Sequence, residues 1–178
     1  MRPLTERWPK ALLPIDGEPV IATLLRELEH ARLAPVTVVV GYLGDQIRRL
    51  LDGLDVRFAE QPEPLGSADA VLRAVEAGSR APFVVSAADT VYSPGDVARF
   101  AGEWAKSGAA GAMAPPLWGV GASLLPHLEA LPGPPYELLE AFRRAGSDVK
   151  RLDLGPLRQL TRPEDVVIHN FVYLESGT

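Results

Sequence analysis

Pro35-Val36-Thr37-Val38-Val39-Val40-Gly41-Tyr42-Leu43-Gly44 is the stretch on which the fold turns. The residues after Pro35 are valines and a threonine, and β-branched side chains favour the pleated conformation. A β-branched run apolar at all but Thr37, rather than at alternate positions, has the look of a strand buried in a parallel sheet. Upstream, Val20, Ile21, Leu24, Leu25, Leu28 and Ala31 recur at helical spacing. This predicts a helix over 19–32, with Pro19 in its first turn. Downstream, Gly41 to Gly44 is a turn, and Asp45 is placed to cap a short helix through Leu51.

The same alternation continues. Val56 to Glu60 is the next strand, and Gln61-Pro62-Glu63-Pro64-Leu65-Gly66 is a rigid loop. Ser67 is placed to cap a helix with Ala70, Val71, Ala74 and Val75 on one face. Pro82 to Ala87 is a buried strand that ends at Ala88-Asp89-Thr90, and Pro94 opens a helix through Lys106. Ala109 to Ala114 is a weak, small-residue strand. Pro115 to Gly121 reads as a strand-turn at best. Ser123 to Leu131 and Tyr136 to Ala145 read as helical, and Val149 to Leu154 as a strand. Thr161 to Asp165 signals the start of a final helix through Tyr173.

Strands alternating with helices over short connections predict an α/β, Rossmann-like domain with a mostly parallel sheet covered by helices on both faces. Right-handed crossovers then bring the strand C-termini to one edge, where open α/β sheets bind ligands. Gln61 to Gly66 and Ala88 to Thr90 both fall near that edge.

Composition narrows the function. The 178 residues suit a single domain, 1–178, and 47% hydrophobic with 23% charged residues is a globular balance. The net charge of −5 and the lack of a basic run argue against a nucleic-acid partner. There is no cysteine, which rules out disulfides and thiolate chemistry and suits a cytoplasmic protein. No apolar run of about 18 residues is present, so no membrane span is expected. The scattered His30, His127 and His169 lack metal-ligand spacing. Gly119-Val120-Gly121 lacks the third glycine of a dinucleotide loop, and no nucleophile elbow is present.

The segment Arg2-Pro3-Leu4-Thr5-Glu6-Arg7-Trp8-Pro9-Lys10-Ala11-Leu12-Leu13-Pro14-Ile15-Asp16-Gly17-Glu18-Pro19-Val20-Ile21 is irregular. Its prolines fix φ and remove backbone donors, while its large apolar residues can anchor it to a core. Such a segment can hold Lys10 or Arg7 in a fixed place. The ordered set Arg2, Pro3, Leu4, Thr5, Pro9, Lys10, Leu12, Leu13, Pro14, Ile15, Pro19, Val20 and Ile21 resembles the sugar-phosphate nucleotidyltransferases, or NDP-sugar pyrophosphorylases. Taken alone, Lys10 would be a solvated lysine beside a proline turn. The resemblance implies that it neutralises charge on reacting phosphates, with Arg2 and Arg7 as weaker phosphate contacts.

Further segments carry the same resemblance. Gln61-Pro62-x-Pro64-Leu65-Gly66-Ser67-Ala68 resembles the family's base-reading loop. A glutamine amide offers a donor and an acceptor to a base edge. Gly66 would let the backbone approach a flat base. Ser67 replaces the usual Thr or Leu. Asp89, just past a strand, corresponds to a family metal ligand, and Mg²⁺ prefers one or two carboxylates with phosphate oxygens and water. Leu157 to Asp165 resembles a late segment carrying a second metal ligand, where this chain has Gln159; Asp153 and Asp165 are the nearest substitutes, but read better as a strand-surface residue and a helix first-turn residue. Trp118 falls where the family often has an aromatic near the sugar, and is equally a candidate core residue.

The resemblance therefore implies transfer of a nucleotidyl group from an NTP, UTP or dTTP favoured, to a sugar 1-phosphate, with Mg²⁺ as cofactor. The family's first strand and Gly-rich phosphate loop precede the position of Arg2. The domain is accordingly expected to be incomplete at its N-terminus, lacking the first strand, and near residues 112–117. A nucleotide- or sugar-nucleotide-binding domain without catalysis, or an inactive remnant, is the alternative.

Overall fold

The computed structural model describes residues 4–146 and 148–166. Arg2 and His169 lie outside the described residues. So does the end of the final helix, which is seen over 163–166.

The irregular N-terminal segment contains a short helix, α1 (Leu4–Arg7), and a 3₁₀ turn over Lys10–Leu12. A small antiparallel ribbon follows, β1 (Pro14–Ile15) and β2 (Glu18–Pro19). Its turn is Asp16-Gly17, both at positive φ (55° and 78°), the pairing that suits a two-residue hairpin turn. Pro19 closes the ribbon and is the N-cap of α2 (Val20–His30), one place before the expected first turn.

Two sheets follow. In the first, β3 (Val36–Val40) runs parallel to β4 (Val56–Glu60), joined through α3 (Gly44–Leu50). The chain then passes through α4 (Ser67–Glu76), β5 (Phe83–Ser86), β6 (Thr90–Val91) and α5 (Asp96–Ser107). Next come β7 (Gly111–Ala114), β8 (Leu117–Val120), α6 (Leu125–Glu129), α7 (Leu138–Ala145), β9 (Val149–Arg151) and β10 (Arg158–Gln159). The second sheet has the order β5-β8-β7-β9. It is parallel between β7 and β9 and antiparallel on both sides of β8. β6 and β10 make a short antiparallel pair.

β8 is where the sequence reading fell short. All of its residues are buried, and it pairs on both edges. Ala114 pairs with Leu117, so Pro115-Pro116 is the tip of a tight hairpin with β7. Gly119 hides the strand signal. A Cβ there would fall 2.5 Å from the Trp104 indole, so the indole occupies the space a larger strand residue would need.

The expected caps are also placed differently. Asp45 lies within the first turn of α3, whose N-cap is Leu43 in a left-handed conformation. Ser67 is the first residue of α4, after the N-cap Gly66. The Ser67 hydroxyl instead accepts the Leu138 N–H at 2.9 Å, satisfying an orphan donor at the start of α7. The buried face of α4 carries Ala68, Asp69 and Val71, rather than the expected set that included Ala74 and Val75.

Three apolar clusters hold these layers together around the site. Ala11, Ile21, Val38, Val40, Ile47 and Leu51 pack under β3, with Ala88 against them. Leu13, Ile15, Val20, Val91 and Leu160 tie the N-terminal ribbon to the β6–β10 pair. Trp118, Leu124, Leu128, Leu138 and Phe142 fill the space between β8 and the α6–α7 pair. Among the described residues, no helix is long and apolar enough to cross a membrane.

Candidate active site

Lys10 is held by its neighbours. Ala11 is buried under β3, and Leu13 is buried against Val91 and Leu160. Just ahead of these anchors, Pro9 sits at φ −57° as the N-cap of the 3₁₀ turn that Lys10 begins. The ammonium therefore leaves the backbone from a segment with little freedom.

Asp89 is the residue Lys10 reaches, with Nζ 3.6 Å from Oδ2. It stands in the connection between β5 and β6. Its carbonyl accepts the Leu160 N–H at 3.0 Å, and the next residue, Thr90, pairs with Gln159. That pairing brings the Gln159 amide nitrogen to 3.4 Å from Asp89 Oδ1. Lys10, Asp89 and Gln159, far apart in sequence, thus converge. Arg158 adds a clamp by donating through both terminal guanidinium nitrogens to the Asp16 carboxylate in the ribbon turn.

The floor of this site is buried and polar. Thr90 is fully buried, and its hydroxyl oxygen has no hydrogen-bond partner among the described residues. The Tyr92 hydroxyl lies 2.8 Å from Ser86 Oγ. Burial pushes the Tyr92 phenol up to about 12, against the lowering effect of the Ser86 hydrogen bond, and the nearby Asp89 charge adds to the rise.

The loop after β4 reaches the same edge of the fold. The Gln61 N–H donates to the Val40 carbonyl at 2.8 Å, and Val40 shares its apolar cluster with Ala11 and Ala88, the neighbours of Lys10 and Asp89. The Gln61 side chain turns inward, where Nε2 donates to the Gly66 carbonyl at 2.9 Å and to Asp69 Oδ2 at 2.8 Å. Gly66 has φ +117°, a conformation reserved for glycine. A Cβ there would fall 2.7 Å from the Tyr136 amide nitrogen. The bare Gly66 Cα thus lets the Tyr136 backbone pass close by, with its N–H donating to Leu65 and its carbonyl accepting from Ala68.

The geometry gives three further residues their partners. Ser67 is committed to Glu137 and to the Leu138 N–H, so its hydroxyl serves the α4–α7 junction. Trp118 is 9% exposed and meets Phe142 edge-on at 5.1 Å, so it is a core residue and not a surface for a sugar. Asp165 accepts from the N–H groups of Thr161 and Arg162 and from the Thr161 hydroxyl, which makes it a turn residue and not a substitute metal ligand. Asp69 is the residue that sequence reading missed. The available signal was a carboxylate flanked by alanines on an otherwise apolar helix face.

The residues around Asp89 suit a weak hold on a hard cation. Among the described residues, no three His, Asp or Glu side chains gather into a metal cage. One carboxylate with an amide beside it is the minimum set for Mg²⁺, which takes its remaining ligands from phosphates and water.

Comparison with known proteins places the chain. Residues 3–152 match the MobA-like NTP transferase domain. The chain belongs to that family. The bifunctional protein GlmU of Ralstonia pickettii is 35% identical over 68 residues, covering 38% of this chain and 15% of GlmU. The low-salt glycan biosynthesis nucleotidyltransferase Agl11 of Haloferax volcanii is 29% identical over 103 residues, covering 54% of this chain and 29% of that protein. The chain thus spans a minor part of the length of these relatives. Among solved structures, a Bacillus anthracis protein named for glucose-1-phosphate thymidylyltransferase superposes with a TM-score of 0.82 at 13% identity, covering 97% of this chain and 89% of that one. The UDP-glucose pyrophosphorylase of Acinetobacter baumannii superposes at 0.72 with 15% identity, covering 99% and 90%. These structures establish the shared nucleotidyltransferase fold.

Proposed function

We propose that this domain transfers a nucleotidyl group from an NTP to a sugar 1-phosphate, giving an NDP-sugar and pyrophosphate. The convergence of Lys10, Asp89 and Gln159 carries this reading. The names of the similar proteins agree with it, since they include thymidylyl and UDP-glucose activities.

In this reaction a phosphate oxygen of the sugar 1-phosphate attacks the α-phosphorus of the NTP. The bond from that phosphorus to the bridging oxygen breaks, and pyrophosphate leaves with the electron pair. No covalent enzyme intermediate is needed, so the protein contributes positioning and charge neutralisation. Lys10 supplies a cation to the phosphate oxygens from a proline-braced turn. Asp89 would hold Mg²⁺, with Gln159 offering its amide oxygen once the side chain turns. When bound there, Mg²⁺ would supply Lewis-acid neutralisation of the phosphate charge. Gln61 reads the base, with UTP or dTTP the favoured nucleotide. Arg2 and Arg7 are secondary phosphate contacts.

One observation favours a second reading, a nucleotide- or sugar-nucleotide-binding domain without turnover. An amide at Gln159, beside Asp89, replaces a second carboxylate and lowers the charge available to a cation. A pyrophosphate-release assay separates the two readings. The protein is incubated with Mg²⁺, each NTP and a panel of sugar 1-phosphates. Release that requires both substrates supports transfer, and nucleotide binding with no release supports the binding domain.

A further inference from the structure

Gln61 is fixed in a way that limits what it can recognise. Its Nε2 faces two groups that only accept hydrogen bonds, the Gly66 carbonyl and the Asp69 carboxylate. The amide therefore has a single consistent orientation, because turning it over would set Oε1 against both acceptors. Asp69 is buried at 8% exposure, and its other oxygen lies 3.4 Å from Arg73 Nη2, which keeps a cation beside the carboxylate. Among the described residues, no donor reaches Gln61 Oε1, and that oxygen is not among the fully buried polar atoms lacking a partner. Gln61 thus presents a carbonyl acceptor and no donor.

We propose that Asp69 sets the choice of base by holding Gln61 with its carbonyl oxygen outward, so that the site takes nucleotides whose base offers a ring N–H. The inference rests on the reading of Gln61 as the base-contacting residue. Uracil and thymine offer N3–H, and guanine offers N1–H. Cytosine and adenine place a lone pair at the corresponding ring nitrogen, which would meet the lone pairs of Oε1. Asp69 is a positioning residue here, since it acts only through Gln61.

The test is direct binding of UTP, dTTP, GTP, CTP and ATP by calorimetry, because the shared triphosphate cancels from the ratios. For the unaltered protein, CTP and ATP are expected to bind about tenfold or more weakly than UTP, the scale of one mismatched polar contact. In Asp69→Asn the neighbour can donate as well as accept, so Gln61 is free to turn over. The CTP-to-UTP ratio is then expected to fall below about threefold. Loss of the ratio in Gln61→Ala with its retention in Asp69→Asn would overturn the positioning role and leave the base reading intact. Retention in Gln61→Ala, or no binding of any nucleotide, would overturn both. If Asp69→Asn does not fold, Asp69→Ser makes the same comparison. Hydrogen exchange of the Gln61 side-chain amide in the unaltered protein needs no variant. Slowing relative to free glutamine supports the clamp, and exchange at the free rate overturns it.

Discussion

Lys10 Nζ lies 3.6 Å from Asp89 Oδ2, with the two side chains 39% and 19% exposed. A pair this open to water is screened and contributes at most about 1 kcal/mol to folding. The same pair presents a cation and a carboxylate just past the end of β5. The two residues are therefore expected to matter for function far more than for stability. Lys10→Ala should lower the melting temperature by no more than about 2–4 °C, as measured by calorimetry.

Gln159 offers a gain-of-function test. Its amide nitrogen sits 3.4 Å from Oδ1 of Asp89, the carboxylate proposed to hold Mg²⁺. Gln159→Asp is expected to tighten Mg²⁺ binding in the presence of nucleotide by about tenfold, since a carboxylate replaces a neutral oxygen ligand. A Mg²⁺ titration of nucleotide binding in the two proteins checks this. Equal midpoints would remove Gln159 from the cation site.

Trp118 tests the distinction between core and site. Its ring meets Phe142 edge-on, within a cluster that also holds Leu124, Leu128 and Leu138. Trp118→Ala is expected to cost about 3–5 kcal/mol of stability, the usual range for deleting a large buried aromatic. Trp118→Phe should leave the KM for the sugar 1-phosphate unchanged. A raised KM in a folded Trp118→Phe protein would restore a sugar contact.

Tyr92 gives a pH signature. Its phenol titrates near 10 when unfolded and is pushed up to about 12 in the fold by burial. Between these values the unfolded chain releases a proton that the folded chain keeps, so stability falls as pH rises. The loss amounts to roughly 2–3 kcal/mol across that window and is absent below it. Tyr92→Phe is expected to flatten the decline in denaturation midpoint between about pH 10 and pH 12.

Individual residues show how far the sequence could be read. Val36 to Val40 declared a strand because every side chain favours the pleated backbone, but only Val38 and Val40 are buried, so burial on both faces is not realised. Lys10 and Asp89 were legible as candidates from their resemblance to known motifs, and the fold brings them into contact. β8 was hidden because Gly119 makes room for the Trp104 indole, a tertiary requirement that strand propensity does not carry. Ser67 has a capping residue's chemistry, but it serves the Leu138 N–H, far along the chain. Asp69 escaped notice because a buried carboxylate is explained only by its partners, Gln61 and Arg73. Gly66 was singled out for the right conformational freedom, while its neighbour is the Tyr136 backbone.

Pyrophosphate release by Lys10→Ala and Asp89→Ala, compared with the unaltered protein, tests the proposed reaction centre most directly. The unaltered protein should release pyrophosphate only when an NTP and a sugar 1-phosphate are both present. Each variant should be slower by about 100-fold or more, the usual cost of removing one electrostatic group from a transition state. Variants that stay folded and release pyrophosphate at the unaltered rate would contradict the assignment of catalysis to Lys10 and Asp89.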